Sequence, residues 1–156
     1  MSKVIEGNLL NIKEGLLVHQ VNTVGIMGAG MAQALKEKWP IVFDEYRKEV
    51  KEQKQSMMGY TYSLLGSVYF VRINEKLIVA NLFGQNSYGR ENICYTDYKA
   101  HDTAWHKIGK SQLTFNLPVY APFLIGAGLA GGDWKKIHEI AERYIPNIIW
   151  VKYKGD

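Results

Sequence analysis

Residues 16–39 read LLVHQVNTVGIMGAGMAQALKEKW, and three kinds of segment succeed one another in that stretch. Residues 16–21 form an almost continuous apolar run between Gly15 and Asn22, the pattern of a strand covered on both faces. The turn that follows carries Gly25, Gly28 and Gly30. Met31, Ala34, Leu35 and Trp39 then recur on one helical face until Pro40 interrupts it. A glycine-rich turn between a buried strand and a helix lies beyond the strand's carboxyl end. Ligands of open α/β sheets sit there, because glycine lets backbone amides approach a phosphate and the helix N-terminus favours negative charge.

The same succession returns near the end of the chain. Residues 120–125 (YAPFLI) read as a strand, Gly126 to Gly132 (GAGLAGG) as a second glycine turn, and Asp133 as the cap of a helix that buries Ile137, Ile140, Ala141 and Tyr144. Outward from these two units, residues 4–8 predict a first strand and residues 42 to about 53 a second helix. Residues 67–73 and 77–82 predict two strands joined by a turn at Asn74 and Glu75. Tyr98, His101, Trp105 and Ile108 mark the buried stripe of a helix starting near Thr96 or Asp97, and residues 147–152 a closing strand. The expected architecture is a layered α/β domain around a mainly parallel or mixed sheet. With 156 residues, 47% of them hydrophobic, the chain suffices for one sizeable core, so residues 1–156 are expected to form a single domain.

Composition narrows the chemistry. The first residues lack a basic start and apolar run, and no later segment has the length of a membrane span, so a soluble protein without membrane contact is expected. One cysteine, Cys94, excludes an internal disulfide framework and a thiolate metal cluster, and fits a reducing, cytoplasmic setting. No metal and no cofactor is expected. The formal charge of +4 favours anionic ligands. Much of that excess lies between Lys36 and Lys54, interleaved with acidic residues at helical spacing, which reads as a solvated helix face. Neither glycine turn contains the Gly-Lys-Ser/Thr of a nucleotide-hydrolysing P-loop, and the first departs from the dinucleotide fingerprint in spacing and strand position.

Taken together, GNLL at residues 7–10, LVHQVNTVGIMGAGMAQALKEKWP, VANLFGQNSYGR, TDY and IGAGLAGGDW resemble the macro domain family over nearly the whole chain, specifically the branch that processes ADP-ribose 1″-phosphate. The resemblance implies a three-layer α/β/α sandwich with a mixed central sheet. It also implies a cleft over the strand ends for ADP-ribose or a derivative, borne by a small molecule or by an ADP-ribosylated protein or nucleic acid. By that resemblance Gly28, Ala29, Gly30 and Met31 border the distal ribose and diphosphate. Gly126, Ala127, Gly128, Leu129, Ala130 and Gly131 wrap the phosphates, and Asn8 and Leu9 lie at the adenine end, with Asn8 where many members carry an aspartate.

Individual side chains admit two readings each. Asn22 either hydrogen-bonds the distal ribose and takes part in catalysis, or occupies a left-handed turn. His19 is either a packed core histidine or, as the resemblance implies, lies close to the reacting end of the ligand. Asp133 is a helix cap, a general base, or both. Tyr88 and Arg90 either cover the ribose and pair with a terminal phosphate or are exposed turn residues. Related macro domains that act through a lysine adduct carry a lysine after the fourth strand and an aspartate in the second glycine turn. Here those stretches read NLFGQNSYGR and GLAGGD, which disfavours a covalent lysine route. The functions in view are hydrolysis at the distal ribose, reading of ADP-ribose without turnover, and RNA binding.

Overall fold

The computed structural model describes residues 2–28, 30–56, 64–87, 93–128 and 130–153. Its elements run β1 (Lys3–Glu6), a 3-10 turn (Leu9–Asn11), β2 (Gly15–Asn22), α1 (Gly30–Lys38), α2 (Pro40–Ser56), β3 (Val68–Asn74), β4 (Leu77–Gln85), α3 (Tyr98–Phe115), β5 (Val119–Pro122), α4 (Trp134–Tyr144) and β6 (Ile149–Lys152). The strands form one sheet in the order β1-β6-β5-β2-β4-β3. All neighbours are parallel except β3, which pairs antiparallel with β4. This is the mixed, mainly parallel sheet that the sequence predicts.

Strand β2 shows how the layers arise. Its side chains alternate across the pleat, so Leu16 and Val18 join one core with Ala104, Trp105 and Ile108 of α3 and Ile137 and Ala141 of α4. Leu17 and Val21 join the other, with Val42, Tyr46 and Val50 of α2. Both faces of β2 are therefore dry, which is why its sequence reads as an unbroken apolar run. Leu16, Leu17 and Val18 are wholly buried. No helix among the described residues is long and apolar enough to cross a membrane.

Several boundaries differ from expectation for local reasons. Pro40 does end the first helix, but it also opens α2, since a proline at the first helical position lacks only an N–H that would be unpaired anyway. Strand β5 stops at Pro122 rather than Ile125, and Leu124 turns the chain with a left-handed φ of 68°. Strand β1 ends at Glu6, and Asn8 caps the 3-10 turn, its Oδ1 accepting from the Leu10 N–H at 2.9 Å. Strand β4 runs on to Gln85 and α2 starts earlier, at Pro40.

The start of α3 is held by its cap: Asp97 accepts from the Ala100 N–H at 2.9 Å. Asp97→Ala should lower stability by about 1 kcal/mol and Asp97→Asn by only a few tenths, because asparagine caps almost as well. Urea unfolding midpoints of the two variants measure the difference.

Candidate functional site

A cavity of about 650 Å³ opens over the carboxyl ends of β2 and β5, between the turn after β2 and the turn after β5. Its walls include His19, Gln20, Asn22, Ile26, Gly28, Gly30, Met31, Gln85, Phe123, Leu124, Gly126, Gly128 and Ala130. The volume is that of a small-molecule site. No carboxylate, lysine or arginine stands among those walls in the described residues.

The first turn is pinned from behind. Asn22 Oδ1 accepts from the Val24 N–H at 3.1 Å and the Ile26 N–H at 3.4 Å, while its Nδ2 donates to the Ile26 carbonyl at 2.8 Å. The fully buried Tyr46 hydroxyl lies 2.7 Å from the Asn22 carbonyl and 2.6 Å from Oδ1, donating to them, and accepts from the Gly25 N–H at 3.0 Å. Burial pushes the Tyr46 phenol well above its usual range, so it remains a donor. Asn22 is the last residue of β2, not a left-handed turn residue: the described residues other than glycine with positive φ are Asn116 and Leu124.

The second turn is pinned by a directed chain of hydrogen bonds. The Trp105 indole can only donate, and it does so to His101 Nδ1 at 3.0 Å. The proton of the neutral imidazole is therefore on Nε2, which donates to Gln20 Oε1 at 2.5 Å. Gln20 Nε2 donates to Gln85 Oε1 at 2.6 Å and to Thr96 Oγ1 at 3.2 Å, and Thr96 passes its proton to the Gly126 carbonyl at 2.7 Å. Ala130 adds a second tie, its carbonyl accepting from the Tyr95 and Thr96 amides.

Those ties give three cavity-lining residues of the second turn, Gly126, Gly128 and Ala130, a polarity. Internal donors occupy the carbonyls of Pro122, Leu124, Gly126, Gly128 and Ala130. The amides of Gly126, Gly128 and Ala130 have no partner among the described residues. Gly126 needs φ of +74° to make this arrangement, and a Cβ there would lie 2.9 Å from Gln20 Oε1. Gly128 needs neither: its φ is ordinary and a Cβ would meet nothing within 4 Å. Across the cavity, α1 begins at Gly30 with its unpaired first amides and the positive end of its dipole at the wall. Ile26 and Leu124, 40% and 43% exposed, are apolar lips on the two turns, anchored by the buried Met27 and Ile125 beside them.

At the floor, His19 Nε2 meets Asn81 Oδ1 at 2.5 Å, and Asn81 Nδ2 donates to the Val42 carbonyl at 3.4 Å. The amide orientation puts the His19 proton on Nε2 and leaves Nδ1 a buried acceptor with no partner among the described residues. Burial lowers the His19 pKa to about 4 despite the Asn81 bond, and burial likewise lowers that of His101 to about 4. Both are neutral imidazoles.

Of the residues singled out from the sequence, the structure thus brings His19, Asn22, Gly28, Gly30, Met31, Gly126, Gly128 and Ala130 to one cavity. Ala127 and Gly131 belong to the second turn but not to the cavity wall, and a Gly131 Cβ would collide with the Ile93 carbonyl at 2.5 Å. Asn8 and Leu9 lie off the wall, with Leu9 buried in the core. Asp133 is exposed and caps α4, its carboxylate accepting from the Lys135 N–H at 3.0 Å and its own N–H donating to the Tyr98 hydroxyl at 2.8 Å. Ala29, Leu129, Tyr88 and Arg90 lie outside the described residues. Sequence reading missed Gln20, Gln85, Phe123 and Leu124. The two glutamines had a signal, being amides near the ends of otherwise apolar strands.

No protein-family model matches the sequence, and no curated protein does. Solved structures match closely in shape. The macrodomain protein of Streptomyces coelicolor superposes with a TM-score of 0.78 at 22% identity, over 99% of this chain and 100% of that one. This chain has the macrodomain fold. A Bacteroides thetaiotaomicron protein of unknown function shares it at TM-score 0.84 and 27% identity, over 98% of each chain. Thermosipho africanus DarTG, solved in complex with ADP-ribose, contains the same macrodomain fold. It aligns at TM-score 0.75 and 17% identity over 99% of this chain and 42% of its own.

The two neutral histidines tie stability to pH. An unfolded histidine takes up a proton near pH 6.5, whereas these resist until about pH 4, so their contribution is complete above pH 6.5 and is lost as pH falls from 6.5 towards 4. The slope should approach about 1.4 kcal/mol per pH unit for each histidine. Urea midpoints measured from pH 7 to pH 4.5 should fall accordingly, and a flat profile would mean that these histidines are not held neutral.

Proposed function

We propose that the cleft binds ADP-ribose or a derivative of it, with the diphosphate between the two glycine turns. One observation carries the reading: at Gly126, Gly128 and Ala130 of the wall the carbonyls are engaged and the amides have no partner among the described residues, and the N-terminus of α1 lies on the same cavity, which no charged side chain among the described residues lines. Such a wall offers hydrogen-bond donors and positive dipole to an anion with no cationic side chain among the described residues. The motifs that resemble macro domains, and the macrodomain fold shared with a protein solved in complex with ADP-ribose, support the same ligand. An ADP-ribosylated protein or nucleic acid would present that group at the cleft mouth.

Two outcomes follow binding. Hydrolysis at the distal ribose, of a 1″-phosphate or an ester, would rely on His19, which lines the cavity with its Nδ1 buried and without a partner among the described residues, with charge taken up by the amides of the turns. Reading without turnover is favoured by a specific observation: no carboxylate lines the cavity among the described residues, Asp133 is spent on its helix cap, and an imidazole with a pKa of about 4 is a weak base at neutral pH.

Calorimetry should show ADP-ribose binding more tightly than ADP or AMP, since the turns act beyond the adenosine half. Gly128→Glu should abolish that binding while the fold persists, because the site has room and an ordinary φ. Equal affinity for ADP and ADP-ribose, or a folded Gly128→Glu that still binds, would sink the assignment. Where ADP-ribose 1″-phosphate or ADP-ribosylated protein is turned over, His19→Gln should slow it roughly 10²-fold. Asp133→Asn should leave both turnover and stability nearly intact.

A further inference from the structure

The turn after β2 is a wall with two sides. Behind it lies a second cavity of about 220 Å³, bounded by Gly25, Ile26, Met27 and Gly28 of the turn, Lys36 of α1, and Phe43 and Arg47 of α2. Ile26, Met27 and Gly28 also face the main cleft, so the two spaces are separated by one thickness of chain. The Lys36 ammonium sits 3.9 Å from the centre of the Phe43 ring, and the Arg47 guanidinium carbon 5.9 Å from it. Neither cation forms an ion pair among the described residues, and no carboxylate lines the cavity there.

We propose that this second cavity is a phosphate-binding site, with Lys36 and Arg47 as its cationic walls. Two cations from different helices, the half-buried Lys36 and the exposed Arg47, line one hollow with no acidic partner among the described residues, so an anion there would meet both. Stacking on Phe43 holds both side chains near the cavity, which reduces the entropy lost when they grip a ligand. At about 30 Å³ per water, the space is that of roughly seven waters, enough for a phosphate with part of what carries it. Arginine and lysine approaching from two helices suit a tetrahedral anion, whose oxygens point in several directions, better than a planar carboxylate. The site stands on these contacts whether or not the main cleft takes ADP-ribose, and its ligand is either free phosphate or a phosphate borne by the molecule in the cleft.

Inorganic phosphate is the probe, titrated by NMR into the wild-type protein, into Gly128→Glu, and into a Lys36→Gln/Arg47→Gln variant, with acetate as the carboxylate control. The expected result is a saturable response at the amides of Gly25 and Gly28 that survives in Gly128→Glu and weakens at least about tenfold in the double variant. Phosphate binding that is absent, unchanged in the double variant, lost in Gly128→Glu, or matched by acetate overturns the proposal. A parallel titration with ADP-ribose and ADP-ribose 1″-phosphate separates the sources. If the added phosphate raises affinity in the wild type but not in the double variant, the phosphate is borne by the cleft ligand. If ADP-ribose fails to bind any form while inorganic phosphate behaves as expected, the cleft reading fails and this one holds.

Discussion

Parallel pairing on both edges of β2 is the constraint from which the rest follows. With β4 on one side and β5 on the other running in its direction, three carboxyl ends open at the same edge of the sheet. Two of the connections leaving that edge are the glycine turns, which accordingly face each other across the strand ends rather than lying on opposite rims. The connections from β4 to β5 and from β5 to β6 must return over a sheet face to make their parallel crossings, which α3 and α4 do on one side, while α1 and α2 cover the other on the way to the antiparallel β3. Cleft, layers and dry central strand are thus one geometric solution.

A cleft walled by backbone has a particular weakness, since glycine turns have no side chains with which to hold themselves. Here the rigidity comes from outside the turns. Tyr46 reaches up from α2 to tie Asn22 and Gly25, and a relay from Trp105 through His101, Gln20 and Thr96 ends on Gly126. Of these props Tyr46, Thr96, His101 and Trp105 are buried, and Gln20 is half-buried at the cavity wall. The packing that stabilises the fold is therefore the same packing that shapes the site, and loss of one is expected to be felt in the other.

What could be read from the sequence divides along the distance over which each feature is decided. The helix caps Asp97 and Asp133, the buried stripe of α3 and the apolar run of β2 rest on chemistry within a few residues, and all are found as expected. The end of β5 was misjudged because Phe123, Leu124 and Ile125 look like strand residues, and only the left-handed Leu124 reveals the turn. The polar fittings of the cleft were invisible for a different reason. Gln20 meets His101 across 81 positions and His19 meets Asn81 across 62, contacts created by strand register and helix docking rather than by any local pattern. Asn22 belongs to both kinds: its place after the strand was legible, its bond to Tyr46 was not.

The occupied carbonyls of the second turn have a consequence for counter-ions. A nucleoside diphosphate in water travels with a divalent metal, which needs oxygen ligands wherever the pair comes to rest. Along this turn the backbone oxygens of Pro122, Leu124, Gly126, Gly128 and Ala130 are already engaged, and Asn22 Oδ1 is shared among three donors. At Gly126, Gly128 and Ala130 a metal would find no free carbonyl to replace its waters, whereas an anion would find amides. On the proposed reading of the cleft, those three residues suit the bare anion better than its metal complex, and magnesium is expected to compete for the ligand rather than accompany it.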